Sequence, residues 1–120
     1  MNRQKKIISE NTVFKTEGAD YAEYFQNEEK LKNGDIAGLN LSTGKVRKYI
    51  AGDEFIGIVT SDAGYISNAK HMDNSNYTLI GLLGQLEFKD DQVIVENRIV
   101  KTLDGNKIGV LLKSGKAFIR

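Results

Sequence analysis

Leu79-Ile80-Gly81-Leu82-Leu83-Gly84-Gln85-Leu86 is apolar on both faces of an extended chain, and its reading decides the fold class. A strand that avoids water on both faces must lie centrally, with other structure covering each side of the pleat. Phe55-Ile56-Gly57-Ile58-Val59 has the same character, so two central strands are expected. Gly57, Gly81 and Gly84 interrupt these runs. A missing side chain inside a strand marks a bulge, a sharp bend or the close approach of another backbone. No segment sustains a helical apolar period, and there is no internal repeat or low-complexity tract.

Outward from this centre the strands have one wet side. Ile36 to Leu41 places Ala37, Leu39 and Leu41 on one face, and Val46, Lys48 and Ile50 alternate with Lys45, Arg47 and Tyr49. Val93 to Val95 and Arg98 to Thr102 read as weaker strands after the Lys89-Asp90-Asp91-Gln92 turn. Ile108 to Leu112 and Ala117 to Ile119 form a final hairpin through Lys113-Ser114-Gly115-Lys116. Turn signals fall at Asn33-Gly34, Thr43-Gly44, Ala51-Gly52-Asp53, Ala63-Gly64, Asp104-Gly105-Asn106 and Ser114-Gly115. With 12 glycines and no proline, these turns rest on positive φ at glycine. Residues 62 to 77, rich in Asp, Ser, Asn and Gly, read as a long surface loop, and Glu28-Glu29-Lys30-Leu31-Lys32 as a single helical turn. The expected fold is mainly β, a compact Gly-bent β-barrel or folded-over sheet of about eight short strands. Residues 1–17 read as an N-terminal arm and 18–120 as a single β-rich domain. The arm holds Arg3, Lys5, Lys6 and the β-prone patch Asn11-Thr12-Val13-Phe14, and is expected to order against a neighbouring subunit.

Composition removes several function classes. The 120 residues suit one domain that buries a core without covalent staples. A net charge of +1 with 40% hydrophobic residues describes a globular chain rather than a disordered one. The absence of cysteine excludes a disulfide framework, a thiol nucleophile and a thiolate metal site. Ile7-Ile8 alone is too short for a signal peptide, and no segment approaches the roughly 18 to 20 apolar residues of a membrane span. A soluble product made in the cytoplasm, with no membrane partner, is therefore expected. His71 is the single histidine, which excludes a histidine-based metal site or triad. Asp104-Gly105-Asn106 lacks the spaced carboxylates of a calcium loop, and Ala117 stands where a phosphate loop needs Ser or Thr. Lys45, Arg47 and Lys48 make a small basic patch, but near-balanced charge and the lack of stacking aromatics beside it argue against nucleic acid. No cofactor is expected.

One stretch crowds ionisable and aromatic side chains together: Gly18-Ala19-Asp20-Tyr21-Ala22-Glu23-Tyr24-Phe25. Two nearby carboxyls can be driven to opposite protonation states, one acid and one base. Residues three apart project to opposite faces of a flat strand. Cooperation of Asp20 with Glu23 therefore requires a turn or bulge at Tyr21-Ala22, or a carboxyl from another subunit. Without either, the stretch is an edge strand anchored by Tyr21, Tyr24 and Phe25, with Asp20 and Glu23 solvated.

Gly18-Ala19-Asp20-Tyr21-Ala22-Glu23 resembles the signature of the self-cleaving intramolecular chaperone domain of phage appendage and tail-spike proteins, classed as a glutamic peptidase. The likeness continues through Asn33-Gly34-Asp35-Ile36, Gly44-Lys45-Val46 and Phe55-Ile56-Gly57-Ile58-Val59-Thr60, and extends to short prophage-like or plasmid-encoded spirochaete proteins of unknown function. The resemblance implies a homotrimer that assists a fibre and cuts its chain just before the motif aspartate. Carried over, the bond is Ala19-Asp20, with Asp20 and Glu23 acting and Tyr21, Tyr24 and Phe25 at the subunit contact. Tyr24-Phe25-Gln26-Asn27 follows where that family often carries acidic and Trp residues, and nineteen residues precede the bond. The leading expectation is therefore a non-enzymatic, trimer-forming virion structural or assembly protein partnered by other virion proteins. Self-cleavage is the alternative, and a capsid-decorating protein a further one.

Overall fold

The computed structural model describes residues 18–120. Ten strands follow along the chain: β1 (Ala19–Gln26), β2 (Ile36–Asn40), β3 (Lys45–Lys48), β4 (Glu54–Val59), β5 (Ala63–Ser67), β6 (Tyr77–Leu86), β7 (Val93–Glu96), β8 (Ile99–Thr102), β9 (Lys107–Leu111) and β10 (Ala117–Ile119). The long strand β6 organises them by changing partners along its length. β1 runs antiparallel to it from Tyr77 to Gly84, β4 meets it at Ile80 and Gly81, and β10 pairs with it from Gly84 to Leu86. The resulting path is β3-β2-β4-β6-β10-β9-β8-β7, with β1 branching from β6 and β5 lying parallel to β1.

The partner changes depend on glycine. A Cβ at Gly57 would stand 2.2 Å from the Gly81 carbonyl oxygen, and one at Gly84 would stand 2.5 Å from the Asp20 amide nitrogen. Gly84 also has a φ of 120°, which residues with a side chain rarely adopt. The close approach expected where glycine interrupts the apolar runs is present.

Successive residues of the central strands enter different apolar clusters. Ile58 and Leu79 join Ala19, Ala22, Ile36, Leu86, Val100 and Ile119 in one, while Val59 and Ile80 join Ala37 and Val46 in the other. Both sides of the β4 and β6 pleats are thereby covered, as their sequences require. Full burial of a side chain such as Ile36, Ile58 or Leu86 stabilises the fold by roughly 1.5–3 kcal/mol. A polar tie draws the two ends of the sheet together. The Tyr49 hydroxyl, after β3, donates to Asp104 at 3.0 Å, and Asp104 also accepts from the Thr102 hydroxyl at 2.6 Å. The sheet therefore curls, and Tyr49 and Phe55 pack against the cluster that holds Val100.

The mainly β, folded-over architecture holds, with β5 added to the expected strands, and β1, read as an edge strand, is flanked on both sides by β5 and β6. Residues 62 to 77 are not one loop: 63–67 form β5, and Ala63-Gly64 opens that strand instead of turning. The pairing that makes it a strand is with distant β1, so no local signal carries it. Asn68 prolongs the contact by bonding the Tyr24 backbone through both its amide atoms, at 2.9 and 3.0 Å. Glu28 to Lys32 forms no helical turn. The Glu28 amide donates to the Val46 carbonyl and the Glu29 carboxylate accepts from the Lys48 amide, so this segment lies along the outer edge of β3. Leu41 falls in the turn after β2 and is exposed. The arm and its Asn11 to Phe14 patch lie outside the described residues. Among the described residues no helix is long and apolar enough to cross a membrane.

Candidate functional site

β1 is irregular where its ionisable and aromatic side chains are concentrated. Its register against β6 shifts between Ala19 and Tyr21 and again between Tyr21 and Ala22. A bulge of this kind adds a residue and changes which face the following side chains occupy. The result is visible in burial: Ala19 and Ala22, three apart, both sit in the same core cluster at 0% exposure. Asp20 and Glu23, the residues that follow these two alanines, are both half-buried. The bend at Tyr21-Ala22 that the sequence required of a cooperating pair is thus present.

Past the bulge, alternation is regular. Tyr24 packs against the cluster that contains Ala22, and Phe25 against the one that contains Ile80. Both rings serve the core of their own chain. Tyr21 differs: its ring stacks on Tyr65 of β5, with centroids 5.6 Å apart and planes 12° from parallel. Its hydroxyl donates a short hydrogen bond of 2.5 Å to Glu23 Oε2. That bond to Glu23 raises the Tyr21 phenol pKa above its ordinary value, against an opposing contribution from Ser67. Tyr65 is 62% and Leu83 39% exposed, so the outer surface around the two carboxyls is aromatic and aliphatic.

The Ala19-Asp20 bond is held through the Gly18-Ala19 peptide just before it, whose N–H is the Ala19 amide, and by a close approach at its own peptide group. The Ala19 amide donates to the Asp62 carbonyl at 3.2 Å. The Ala19-Asp20 peptide itself lies against Gly84, where an added Cβ would meet the Asp20 nitrogen at 2.5 Å and the Ala19 carbonyl carbon at 3.3 Å. Tyr65, Thr60, Asp62 and Leu83 escaped the sequence reading. They reach β1 only through the β5 and β6 pairings, and the sole local hint was Thr60-Ser61-Asp62, a turn-forming pattern.

The other candidates resolve as structural. Arg47 of the basic patch forms a two-pronged bond with Asp53, at 2.8 and 3.1 Å, and approaches Glu28 at 3.5 Å. Its charge is spent within the chain. His71 stacks on Tyr77 at 3.8 Å, and among the described residues no group of His, Asp and Glu could hold a metal ion.

The fold has a solved counterpart. A C-terminal fragment of gene product 12 of bacteriophage phi29 superposes with a TM-score of 0.61 at 16% identity, over 84% of this chain and 100% of the fragment. No curated protein matches the chain. Residues 2–80, which contain β1 to β5 and the first part of β6, match the family Peptidase_G2, IMC autoproteolytic cleavage domain. With its bulged Asp20-Tyr21-Ala22-Glu23 strand inside that match, the chain belongs to this autoproteolytic cleavage domain family.

Proposed function

We propose that the chain is a phage-type assembly module that associates with copies of itself as a homotrimer and works on virion proteins of the appendage class. The family membership supports the class of function. The observation that carries the assembly reading is the exposed surface formed by Tyr65 and Leu83, at 62% and 39% exposure, beside stacked Tyr21. A surface of this composition favours a protein contact, and closed rotational symmetry is the common way for identical chains to satisfy it. Size-exclusion chromatography with light scattering tests the reading. Three copies per particle are expected, and Tyr65→Asp with Leu83→Asp releases monomers. A wild-type monomer at micromolar concentration overturns it.

A second reading, self-cleavage at Ala19-Asp20, is supported by the bulge between Ala19 and Ala22, which breaks the alternation that would set Asp20 and Glu23 on opposite faces of a flat strand. In this reaction one carboxylic acid polarises the Ala19 carbonyl while the other, as carboxylate, takes a proton from water. The water oxygen bonds to the Ala19 carbonyl carbon, the C–N bond breaks, and the Asp20 nitrogen leaves as an amine after receiving a proton from the acid. Intact mass spectrometry decides: a product beginning at Asp20, absent in Glu23→Ala, is expected. A wild-type chain that stays whole through long incubation refutes cleavage.

A further inference from the structure

A polar cavity of about 170 Å³ opens beside Gly18, one residue before the Ala19-Asp20 bond, lined in part by Gly18, Thr60, Ser61, Asp62 and Glu87. Its inner wall is a closed ring of hydrogen bonds. The Thr60 hydroxyl donates to the Asp62 carbonyl at 2.7 Å, and the same oxygen accepts from the Asp62 amide at 3.1 Å. Thr60 is 7% exposed, so its hydroxyl makes both bonds from a buried position. The Asp62 carbonyl fixed in this way is the acceptor of the Ala19 amide. Gly18 completes the fit, because a Cβ there would stand 2.3 Å from that carbonyl oxygen and 2.8 Å from the Thr60 hydroxyl.

We infer that Thr60 is a positioning residue for the Ala19-Asp20 bond, acting through the Asp62 carbonyl, and that Gly18 is required before Ala19 for the same reason. The inference rests on the self-cleavage reading. Thr60 fixes the Asp62 carbonyl, the carbonyl fixes the Ala19 amide in the peptide unit just before the bond, and the Ala19-Asp20 peptide itself lies close against Gly84. The chain is thereby pinned at the bond on which Asp20 and Glu23 would act. Pinning matters because a displacement of about 1 Å at a reacting centre can slow a reaction on the order of 100-fold.

The test uses the full chain and follows the first-order appearance of the product beginning at Asp20. Thr60→Val removes the hydroxyl while keeping the shape, and is expected to slow cleavage roughly 10- to 100-fold at an unchanged Tm. Thr60→Ser, which restores the hydroxyl, is expected to return most of the rate. Gly18→Ala slows cleavage as well, which keeps the inference open to refutation should the valine variant fold poorly. Hydrogen exchange at the Ala19 amide, measured by NMR in the uncleavable Glu23→Ala chain, reads the clamp without cleavage, and Thr60→Val should accelerate it. Wild-type cleavage with an unaffected rate in folded Thr60→Val and Gly18→Ala overturns this inference alone. An uncut wild type overturns the cleavage reading and this inference with it.

Discussion

Asp35 and the pair Asp20 and Glu23 are carboxylates in β-structure with opposite surroundings. Asp35 is 2% exposed and saturated: it accepts from the Lys32 amide at 2.7 Å, from Lys89 Nζ at 2.8 Å and from Gln92 Nε2 at 2.9 Å. Gln92 returns the tie by accepting from the Ile36 amide at 2.8 Å. Asp35 thus locks the lead into β2 against the turn before β7. Burial by itself would raise its carboxyl, but Lys89, the Lys32 amide and Gln92 together hold it below the ordinary carboxylate range. Glu23, in contrast, is half-buried with one short bond from Tyr21, and Asp20 is half-buried beside the bulge. A buried charge must be fully partnered to be tolerated, and full partnering leaves no valence for chemistry. A carboxyl that is to exchange a proton must keep part of its valence open.

The contrast can be broken most strongly at Asp35. Asp35→Ala should lower stability by about 3 kcal/mol, read as a fall in the urea midpoint with an unchanged slope. The sign with pH follows from the lowered carboxyl. Asp35 stabilises the fold fully above the ordinary aspartate pKa, and that contribution is lost as pH falls through the lower, folded-state value. Acid titration of the wild type should show this loss, and Asp35→Asn should flatten it. Gly84→Ala comes next, at about 2 kcal/mol from the strained φ and the contact with the Asp20 nitrogen. Its further expected consequence is loss of whatever self-cleavage the wild type has, because the bulge shifts with it. Glu23→Gln should leave Tm within about 2 °C of wild type, in line with a half-buried carboxyl the fold does not need. The smallest effect sharpens the picture of Glu23 itself: in that variant the Tyr21 phenol should titrate closer to its ordinary value, read by NMR or ultraviolet difference titration.

Much of the scaffold was legible in sequence. Two-sided apolarity placed β4 and β6 at the centre, and Gly34, Gly44, Gly52, Gly105 and Gly115 turn with positive φ where the turn signals fell. The final hairpin of β9 and β10 stands where expected. The hairpin between β7 and β8 turns through Asn97 and Arg98, both at positive φ. Arginine gives little warning of that conformation, although its guanidinium bonds the Leu111 carbonyl at 3.1 Å and helps to hold it. β5 was missed because a parallel strand short in apolar residues exists through its partner rather than its own pattern. Tyr24 and Phe25 show the same limit: they read as anchors, and only packing reveals that they pack against core clusters of their own chain.

For the candidate site, sequence alone singled out Gly18 to Phe25 as the place for any chemistry, on condition of a bend at Tyr21-Ala22 or a carboxyl from another subunit. Side-chain types and the two-residue period of a strand are local properties, and both can be read from eight consecutive residues. Whether β1 bends there was decided by β6, whose Gly84 admits the Ala19-Asp20 peptide and shifts the register. The surroundings of the bond were likewise set from a distance, by Thr60, Asp62 and Tyr65. A bulge is a mismatch between two strands, so its position belongs to the pair and cannot be written in either strand alone.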